Sequence, residues 1–320
     1  MIKRKLAFIC TKGLETFIDP IAAEFEREGT YKVRRYYVAS NGEVHAAVKW
    51  ADIAFIEWAN EVAVIATDMH EIKDKAVIVR LHSYEAFTDL PQKIDWTKVD
   101  YLIFVASHVR DIVESNNPGL IKNVCTKVIS NGVNPAEHMI EPDQDPFSLA
   151  YVANISHKKT PVLALQILAE LAKNNQKYRL HVAGTFQDPR YQVYMTHMIK
   201  EMGLVDNVIF YGHLQDMTDF WKGKSIILST SIHEGHPLNV IEGAMRGILP
   251  VIHNSLGTEA LYPQDWRYNT VGEAVDMILS KDRGAKWTTE NIRGYAIGAG
   301  WTRAAQVKQI ANLIKKAERK

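Results

Sequence analysis

The sequence has little cysteine and no excess of charge of either sign. Only 2 of its 320 residues are Cys, Cys10 and Cys125, too few for a disulfide framework or, by themselves, for a zinc site. This usage indicates a reducing, cytoplasmic environment. Lys and Arg number 38 against 37 Asp and Glu, a formal net charge of +1. A dedicated nucleic-acid binder needs a strong local excess of basic residues, so that class is disfavoured.

Long hydrophobic runs and glycine-rich phosphate loops are also missing. The longest apolar stretches, such as residues 101–107 and 225–229, have the length of a strand and fall far short of the roughly 20 residues of a membrane span. The apolar run at residues 6–10 is too short for a signal peptide. No P-loop and no Gly-x-Gly-x-x-Gly is present, which argues against kinases, ATPases and NAD dehydrogenases. We expect a soluble cytoplasmic protein, and basic residues near both ends leave peripheral contact with the inner membrane face open.

Short apolar runs alternate with helical patterns along the chain. The apolar runs are typical of strands buried on both faces, and in the first half they cover residues 6–10, 53–57, 76–79, 101–105 and 128–129. Amphipathic patterns between them predict helices at residues 19–27, 60–71 and 107–114. This alternation indicates βαβ units and therefore an α/β fold with a parallel sheet covered by helices on both sides.

The pattern stops near the middle of the chain and then restarts. Asn131 and Gly132 form a turn signal, and the acidic segment 141–146 carries two prolines that neither a helix nor a central strand tolerates. We therefore predict two doubly wound Rossmann-like domains in tandem, residues 1–146 and 147–320, each with room for its own core. In the second half, the same patterns predict strands at residues 148–152, 179–182, 208–211, 226–229 and 249–252. They predict helices at residues 161–174, 237–246 and 303–319.

The segment from residue 229 to residue 251 carries the most chemical information. A strand leads into a polar loop and then a helix with Pro237 at its predicted first position, where proline is favoured. The start of a helix presents free N–H groups and a positive dipole end, which suit a phosphate or diphosphate. Glu234 and Glu242 flank this start, and carboxylates accept hydrogen bonds from hydroxyls. The combination suits a phosphate that bridges two polyols, as in a sugar nucleotide, although solvated or helix-starting acids give the same pair.

This segment resembles the Glu-x7-Glu signature of family 4 glycosyltransferases, which are retaining enzymes with the GT-B fold. Four further segments of this chain are similar to motifs of the family: residues 101–110, 128–134 (Val-Ile-Ser-Asn-Gly-Val-Asn), 180–184 (Leu-His-Val-Ala-Gly) and 208–212 (Val-Ile-Phe-Tyr-Gly). The resemblance implies two Rossmann-like domains facing a central cleft, with the acceptor on the first and the nucleotide sugar on the second. It also implies that the terminal helix, residues 301–320, crosses back onto the first domain.

The resemblance implies a role for each matching residue. Glu234 would contact the donor sugar, and Glu242 the ribose. His82 would face the donor sugar from the first domain, and Lys159 would neutralise the diphosphate. The backbone beside Glu234 would bind the diphosphate, and its residues are Gly235, His236, Pro237 and Leu238. Nucleotide base choice is expected to depend on the loop that starts at Gly212.

The sequence departs from the family at several of these positions. Asn154 stands where the family has an arginine that stabilises the leaving group, and Lys158 is the candidate substitute. His236 replaces a phenylalanine and Gly243 an alanine. The glycine-rich loop after the first strand is reduced to Gly13 and its two preceding residues.

For the acceptor side, the sequence offers Gly13 together with Glu57 and Trp58, which follow a buried strand. Each of the candidate residues also has a structural alternative. His82 fits a hydrogen-bonded structural histidine, the two lysines a solvated loop pair, and Trp58 a core residue.

No metal cofactor is expected. His233 and His236 are three residues apart instead of the four of zinc proteases, and a glycine and a proline prevent a helix through them. Asp143 and Asp145 imitate an Asp-x-Asp metal motif but lie in the linker, with no strand leading in.

The partners implied are a nucleotide sugar and a hydroxyl acceptor, which is a glycan, a lipid-linked sugar, a protein or a metabolite. Two other classes stay open. One is a catalytically silent GT-B protein that binds nucleotide sugars or scaffolds a partner enzyme, motivated by Asn154 and the missing glycine loop. The other keeps the fold with a different chemistry, such as a sugar-nucleotide epimerase or a phosphorylase. The oligomeric state is left open.

Overall fold

The computed structural model describes residues 3–280 and 286–318. The chain divides into two compact units. The first contains the residues up to Gly132 together with those from Thr302 onward, and the second contains Val133–Trp301. In the described part, each unit has one parallel sheet with helices around it. The α/β class with two Rossmann-like domains, expected from the alternating pattern, is confirmed.

The sheet of the first unit has six strands among the described residues, and they are Lys5–Thr11 (β1), Lys32–Val38 (β2), Ile53–Glu57 (β3), Ala76–Leu81 (β4), Tyr101–Phe104 (β5) and Cys125–Val128 (β6). Their order in the sheet is β2-β1-β3-β4-β5-β6. Every neighbouring pair is parallel, which requires a crossover between consecutive strands. Strands β1, β3, β4 and β5 are buried along almost their whole length, as their apolar runs predict.

The sheet of the second unit repeats this architecture in the part described, with the strands Ser148–Val152 (β7), Arg179–Ala183 (β8), Val208–Gly212 (β9), Ile226–Ser229 (β10), Leu249–His253 (β11) and Arg267–Tyr268 (β12). Their order is β12-β11-β10-β7-β8-β9, and all neighbouring pairs are parallel. The chain adds β8 and β9 on one side of β7 and then β10 to β12 on the other side. The strand order therefore reverses between β7 and β10, and ligands bind in such sheets at the carboxyl ends of the strands beside this switch point.

Helices connect the strands in both units. The first-unit helices are Asp19–Glu28 (α1), Asn41–Trp50 (α2), Glu61–Asp68 (α3), Leu90–Lys93 (α4) and Ser107–Asn116 (α5). Those from the second unit and the end of the chain are Pro161–Asn174 (α6), Pro189–Glu201 (α7), Thr218–Trp221 (α8), Leu238–Met245 (α9), Thr258–Leu261 (α10), Val271–Leu279 (α11), Thr289–Gly298 (α12) and Arg303–Ala317 (α13). Short 3₁₀ helices are Glu15–Phe17, His70–Asp74, Glu85–Phe87, Trp96–Lys98, His157–Lys159 and Gln264–Trp266.

The segment 133–146 packs with the second unit, so the division lies fourteen residues before the predicted boundary at 146. The backbone N–H of Glu141 donates to the carbonyl of Arg246 (3.0 Å) and that of Asp145 to the carbonyl of Gly223 (3.0 Å). The two prolines of the acidic segment prevent regular structure there, but they do not prevent these contacts. The prolines of segment 141–146 therefore predict a linker, although the segment packs against the second unit.

The last helix, α13, belongs to the core of the first unit. Val307, Ile310, Leu313 and Ile314 are buried with the strand residues of that unit, along the apolar face that their spacing predicts. The sequence places the end of this helix at residue 319, whereas the structure ends it at Ala317, and residues 319–320 lie outside the described part.

No helix in the described residues is both long and apolar enough to cross a lipid bilayer.

Candidate functional site

A polar loop and a helix start lie at the carboxyl end of β10 in the second unit. The chain leaves β10 after Ser229, and α9 begins at Leu238. Pro237 is the residue that caps α9, in an extended conformation (φ −73°, ψ 127°), instead of the first helical residue that the sequence predicts. Among the residues that the structure describes, no side chain caps this helix start. The first N–H groups of α9 have no partner within the helix, so the loop ends in an anion-binding geometry.

Glu234 lies in this loop between two lysine side chains. Its Oε1 forms an ion pair with Lys159 Nζ, and its Oε2 lies 3.4 Å from Lys158 Nζ. The side chain of Glu234 is 15% exposed. Burial by itself would raise the pKa of Glu234, but the attraction of Lys159 and Lys158, with hydrogen bonds from Lys159 and Ser231, outweighs burial and lowers the pKa below its ordinary value. Glu234 is therefore ionised at neutral pH, with two cations next to it.

The turn that carries both lysines, His157–Lys159, is fixed by hydrogen bonds from two buried hydroxyls. Tyr151 Oη donates to the carbonyl of Lys159 (2.7 Å), and Thr230 Oγ1 lies 2.6 Å from the same carbonyl and 3.0 Å from that of Thr160. Thr160 ends the turn in the left-handed region (φ 43°), which costs about 1–2 kcal/mol for a residue with a Cβ. The sequence does not predict these roles of Tyr151 and Thr230, because a hydroxyl that bonds to a distant backbone carbonyl leaves no motif.

Glu242 lies one turn inside α9. Burial raises its pKa to about 7, against an opposing attraction from Arg246. Its carboxyl makes no hydrogen bond to the described residues, whereas Asn239, one turn earlier, donates from Nδ2 to the carbonyl of Val152 at the end of β7 (2.8 Å). Asn239 therefore holds the start of α9 against β7, and Glu242 keeps both of its oxygens available to a ligand.

The other second-unit candidates fall into different environments. Asn154 is exposed in the loop after β7. Gly212 has a left-handed backbone (φ 67°) at the end of β9, and its carbonyl accepts a hydrogen bond from the N–H of Gly184 (2.8 Å). The side chain of His236 is buried edge-on against Trp301, with ring centroids 5.2 Å apart. The side chain of His236 therefore packs in the interior of the second unit.

The first-unit candidates form a buried polar cluster where β3 and β4 end. His82 Nε2 lies 2.7 Å from Glu57 Oε1, and Arg80 Nη1 lies 3.3 Å from the same oxygen. The acceptor contact expected for Glu57 is not supported, because Glu57 is fully buried (0% exposed) and its carboxylate is occupied by Arg80 and His82. Trp58 packs its ring on His82 with centroids 3.9 Å apart and is also buried. Gly13 lies in an exposed turn with φ 91°, a conformation that favours glycine.

In the described ranges, no group of three or more His, Cys, Asp and Glu side chains is arranged to hold a metal ion.

One family model matches part of the second unit. The sequence profile of the family described as glycosyl transferases group 1 matches residues 135–263, which include Lys158, Lys159, Glu234 and Glu242. No curated protein sequence matches the chain.

Solved structures of GT-B glycosyltransferases share the fold of the whole chain. Anabaena HepE in complex with UDP and glucose has a TM-score of 0.77 at 15% identity, with 98% of this chain and 99% of that chain covered. The lipopolysaccharide outer core galactosyltransferase WaaB has a TM-score of 0.69 at 18% identity, with 98% and 99% covered. The pneumococcal O-GlcNAc transferase GtfA in complex with UDP and GlcNAc has a TM-score of 0.66 at 12% identity, with 89% and 61% covered. At these identities the likeness shows that this chain has the GT-B fold.

Proposed function

We propose that this protein is a retaining glycosyltransferase that moves a sugar from a nucleoside diphosphate sugar to an acceptor hydroxyl. The observation that carries the proposal is the pairing of Glu234 with Lys158 and Lys159 next to the start of α9, inside the segment that matches glycosyl transferases group 1. This arrangement offers cations and helix N–H groups to a diphosphate and a carboxylate to sugar hydroxyls.

The donor-binding roles follow from this arrangement. Lys159 and Lys158 would pair with the diphosphate, which competes with Glu234 for them and leaves the Glu234 carboxylate to accept hydrogen bonds from the sugar. The backbone N–H groups between Gly235 and Leu238 would bind the same anion. Glu242, whose oxygens make no hydrogen bond to the described residues, would accept from the ribose hydroxyls. The second unit would thereby hold the whole donor.

Uridine is the first base to test. HepE was solved with UDP and with UDP-glucose, and the pneumococcal enzyme with UDP and GlcNAc. Base selection itself would depend on backbone contacts near Gly212, at the end of β9.

The proposed reaction breaks the bond between the anomeric carbon and the phosphate oxygen and forms a bond between that carbon and the acceptor oxygen on the same face. The acceptor proton passes to the departing phosphate oxygen. Charge that develops on the diphosphate would be stabilised by Lys159, Lys158 and the N–H groups at the start of α9, so the proposal needs no metal. Lys158, whose Nζ lies 3.4 Å from Glu234 Oε2, would supply the cation that Asn154 lacks.

The first unit would bind the acceptor, and His82 would contact the reacting sugar. Gly13, in its exposed turn, stays a candidate for acceptor contact. Acceptors of four classes remain under consideration: glycans, lipid-linked sugars, proteins and metabolites. We place the reaction in the cytoplasm on the basis of cysteine usage, with peripheral membrane contact through the basic segment near Lys315 and Lys316 as part of the proposal.

A second candidate function is a silent GT-B protein that binds nucleotide sugars. The observation in its favour is Asn154, which is exposed and brings no charge to the place of the expected arginine. Sugar transfer that disappears in Glu234→Ala would exclude this candidate.

The test is a transfer assay with labelled UDP-glucose, UDP-galactose and UDP-GlcNAc and with glycan, lipid, protein and metabolite fractions as acceptors. We expect label transfer by the native protein and a loss of at least about 100-fold in Lys159→Met, because a group that stabilises the leaving charge contributes roughly 3–4 kcal/mol. The matched control is Lys173→Met on α6, whose lysine also pairs with a glutamate (Glu170, 2.6 Å) but on the exposed surface. Equal activity of Lys159→Met and Lys173→Met would overturn the assignment of the donor site.

A further inference from the structure

A buried ion pair lies behind His82 in the first unit. Glu57 and Arg80 are 0% and 1% exposed, and Arg80 Nη1 lies 3.3 Å from one oxygen of Glu57 and 3.5 Å from the other. Arg80 Nη2 also donates to Oδ1 of Asn131, which is buried as well. Burial would raise the pKa of Glu57, but Arg80 and the hydrogen-bonded His82 reverse the effect and lower the pKa, so the carboxylate stays ionised.

A buried ion pair carries a large desolvation cost. Removing two charges from water costs several kcal/mol per ion, and well-packed apolar residues of similar volume are often at least as stabilising. The neighbouring positions of β3 and β4, such as Phe55 and Ile78, are fully buried and apolar, as expected for central parallel strands. The charges at the ends of these two strands therefore call for a role other than stability.

The pair controls the orientation of the His82 ring. Burial lowers the pKa of His82 despite the hydrogen bond and the attraction of Glu57, so the ring is neutral. His82 Nε2 lies 2.7 Å from Glu57 Oε1, and an ionised carboxylate only accepts hydrogen bonds, so Nε2 carries the proton of the ring. The backbone N–H of His82 donates to Oε1 of Glu85 (3.2 Å), and its ring packs against Trp58 and Phe17 with centroids 3.9 and 4.7 Å apart. Contacts at the His82 backbone, on the face of the ring and at its Nε2 edge therefore restrict rotation of the ring.

We propose that Glu57 is a positioning residue that holds His82 in the tautomer with the proton on Nε2, and that Arg80 and Asn131 keep the Glu57 carboxylate oriented for this purpose. Nδ1 of His82 is then a hydrogen-bond acceptor. An acceptor nitrogen meets a hydroxyl of the substrate and repels a phosphate oxygen. The inference rests on the proposed function for the identity of that substrate, and it replaces the acceptor contact expected of Glu57.

The first experiment reads the tautomer directly. Long-range ¹H–¹⁵N correlation spectra of the full-length protein with ¹⁵N-labelled histidine distinguish protonation at Nε2 from protonation at Nδ1, and His82→Asn assigns the signal. We expect the Nε2–H pattern for His82 in the native protein. An Nδ1–H pattern would overturn the proposal, and this measurement requires neither a Glu57 variant nor any turnover.

The second experiment uses Glu57→Gln. Arg80 Nη1 donates its hydrogen bond to Oε2 of Glu57, the oxygen that does not face His82. If the single amide oxygen keeps this bond, the amide NH₂ faces Nε2 of His82 and the ring proton moves to Nδ1. We expect this reversal of tautomer, with kcat reduced at least about tenfold and KM for the nucleotide sugar little changed. The matched control is Glu26→Gln, which changes a glutamate paired with Arg35 (2.6 Å) on the exposed surface of the same unit and should retain both the tautomer and kcat. A Glu57→Gln protein that keeps the Nε2–H tautomer and native kcat would contradict the proposal.

The two readouts separate this inference from the proposed function. A native protein with the Nε2–H tautomer, reversed in Glu57→Gln, but with no turnover of any nucleotide sugar would leave the positioning role intact and remove the glycosyltransferase assignment. Sugar transfer with an unchanged tautomer in Glu57→Gln would do the opposite.

Discussion

At the scale of single residues, Glu242 combines a proposed function with a cost in stability. Its pKa of about 7 exceeds the ordinary value of 4.5 because burial disfavours the charged form. The folded protein therefore retains a proton that the unfolded chain releases between pH 4.5 and about 7. By linkage, this group makes the free energy of unfolding fall as the pH rises through that window, and the loss persists above it.

Glu242→Gln should remove this pH dependence. The difference between a pKa of 4.5 and one of about 7 corresponds to roughly 3 kcal/mol, so the second unit of Glu242→Gln should unfold several degrees above that of the native protein at pH 8 and close to it at pH 4.5. Calorimetric scans from pH 4.5 to 8 measure the difference, and Glu201→Gln on the exposed end of α7 is the control. A difference between Glu242→Gln and the native protein that is the same at both pH values would show that the carboxyl does not titrate as described.

The sequence predicts the placement of Glu234 and Glu242 about a helix start, because their spacing follows from local chain geometry. It does not identify Tyr151 or Thr230, and it assigns Glu57 to acceptor contact, because burial and long-range partners depend on the packed sheet. A glutamate at the end of a buried strand looks the same in sequence whether it faces the ligand or an arginine on the next strand.

At the scale of elements, the turn His157–Lys159 should lose its shape without the Thr230 hydroxyl. Thr230→Val keeps the buried volume but leaves the carbonyls of Lys159 and Thr160 without this donor, which should cost about 1–3 kcal/mol. Because both lysines lie on this turn, affinity for a nucleoside diphosphate should fall about tenfold, as measured by titration calorimetry.

Thr67→Val is the matched control for that variant. Thr67 Oγ1 also donates to a backbone carbonyl (Ala63, 2.8 Å), but in α3 of the first unit. The Thr67→Val variant should lower the free energy of unfolding by a similar amount and leave nucleotide affinity unchanged. A native affinity in Thr230→Val, with its stability reduced, would separate the turn from donor binding.

Gly243 stands where the family that the sequence resembles has an alanine, and close packing explains the glycine. A Cβ at this position would lie 2.9 Å from Cγ2 of buried Ile227 on β10, so α9 packs closer to the sheet than an alanine permits. Gly243→Ala should therefore lower stability by about 1–3 kcal/mol despite its better helix propensity. Gly294→Ala, in α12 with open space around the added methyl group, should gain up to about 1 kcal/mol. Thermal unfolding compares them, and a gain in Gly243→Ala would refute the close packing.

Elements were predictable where burial follows from local sequence. The apolar runs predict β3, β7 and β10 to the residue, because strands buried on both faces leave a continuous signal. Strand β2 was not predicted, since this edge strand carries Lys32, Arg34 and Arg35 and is largely accessible to solvent. The predicted helix at 60–71 is shorter, because Asn60 caps α3 and the chain turns into a 3₁₀ helix after Met69.

At the scale of the whole molecule, the alternation of strands and helices determines the architecture but does not determine where one unit ends. The turn signal at Asn131 and Gly132 coincides with the division, whereas the acidic proline segment packs with the second unit. The return of α13 to the first core depends on contacts between residues far apart in sequence. Such contacts are visible in the sequence only as an amphipathic pattern with no stated partner.

The proposed function requires that the second unit binds a nucleoside diphosphate sugar through the lysine pair and Glu242. Titration calorimetry of the full chain with UDP, GDP, ADP, CMP and their common sugars tests it most directly. We predict binding of one nucleotide group, with UDP first, and affinity at least about tenfold lower in Glu242→Gln and in Lys159→Met, as expected for lost hydrogen bonds to charged groups. Absence of binding to every nucleotide, or equal affinity in the native protein and both variants, would contradict the account.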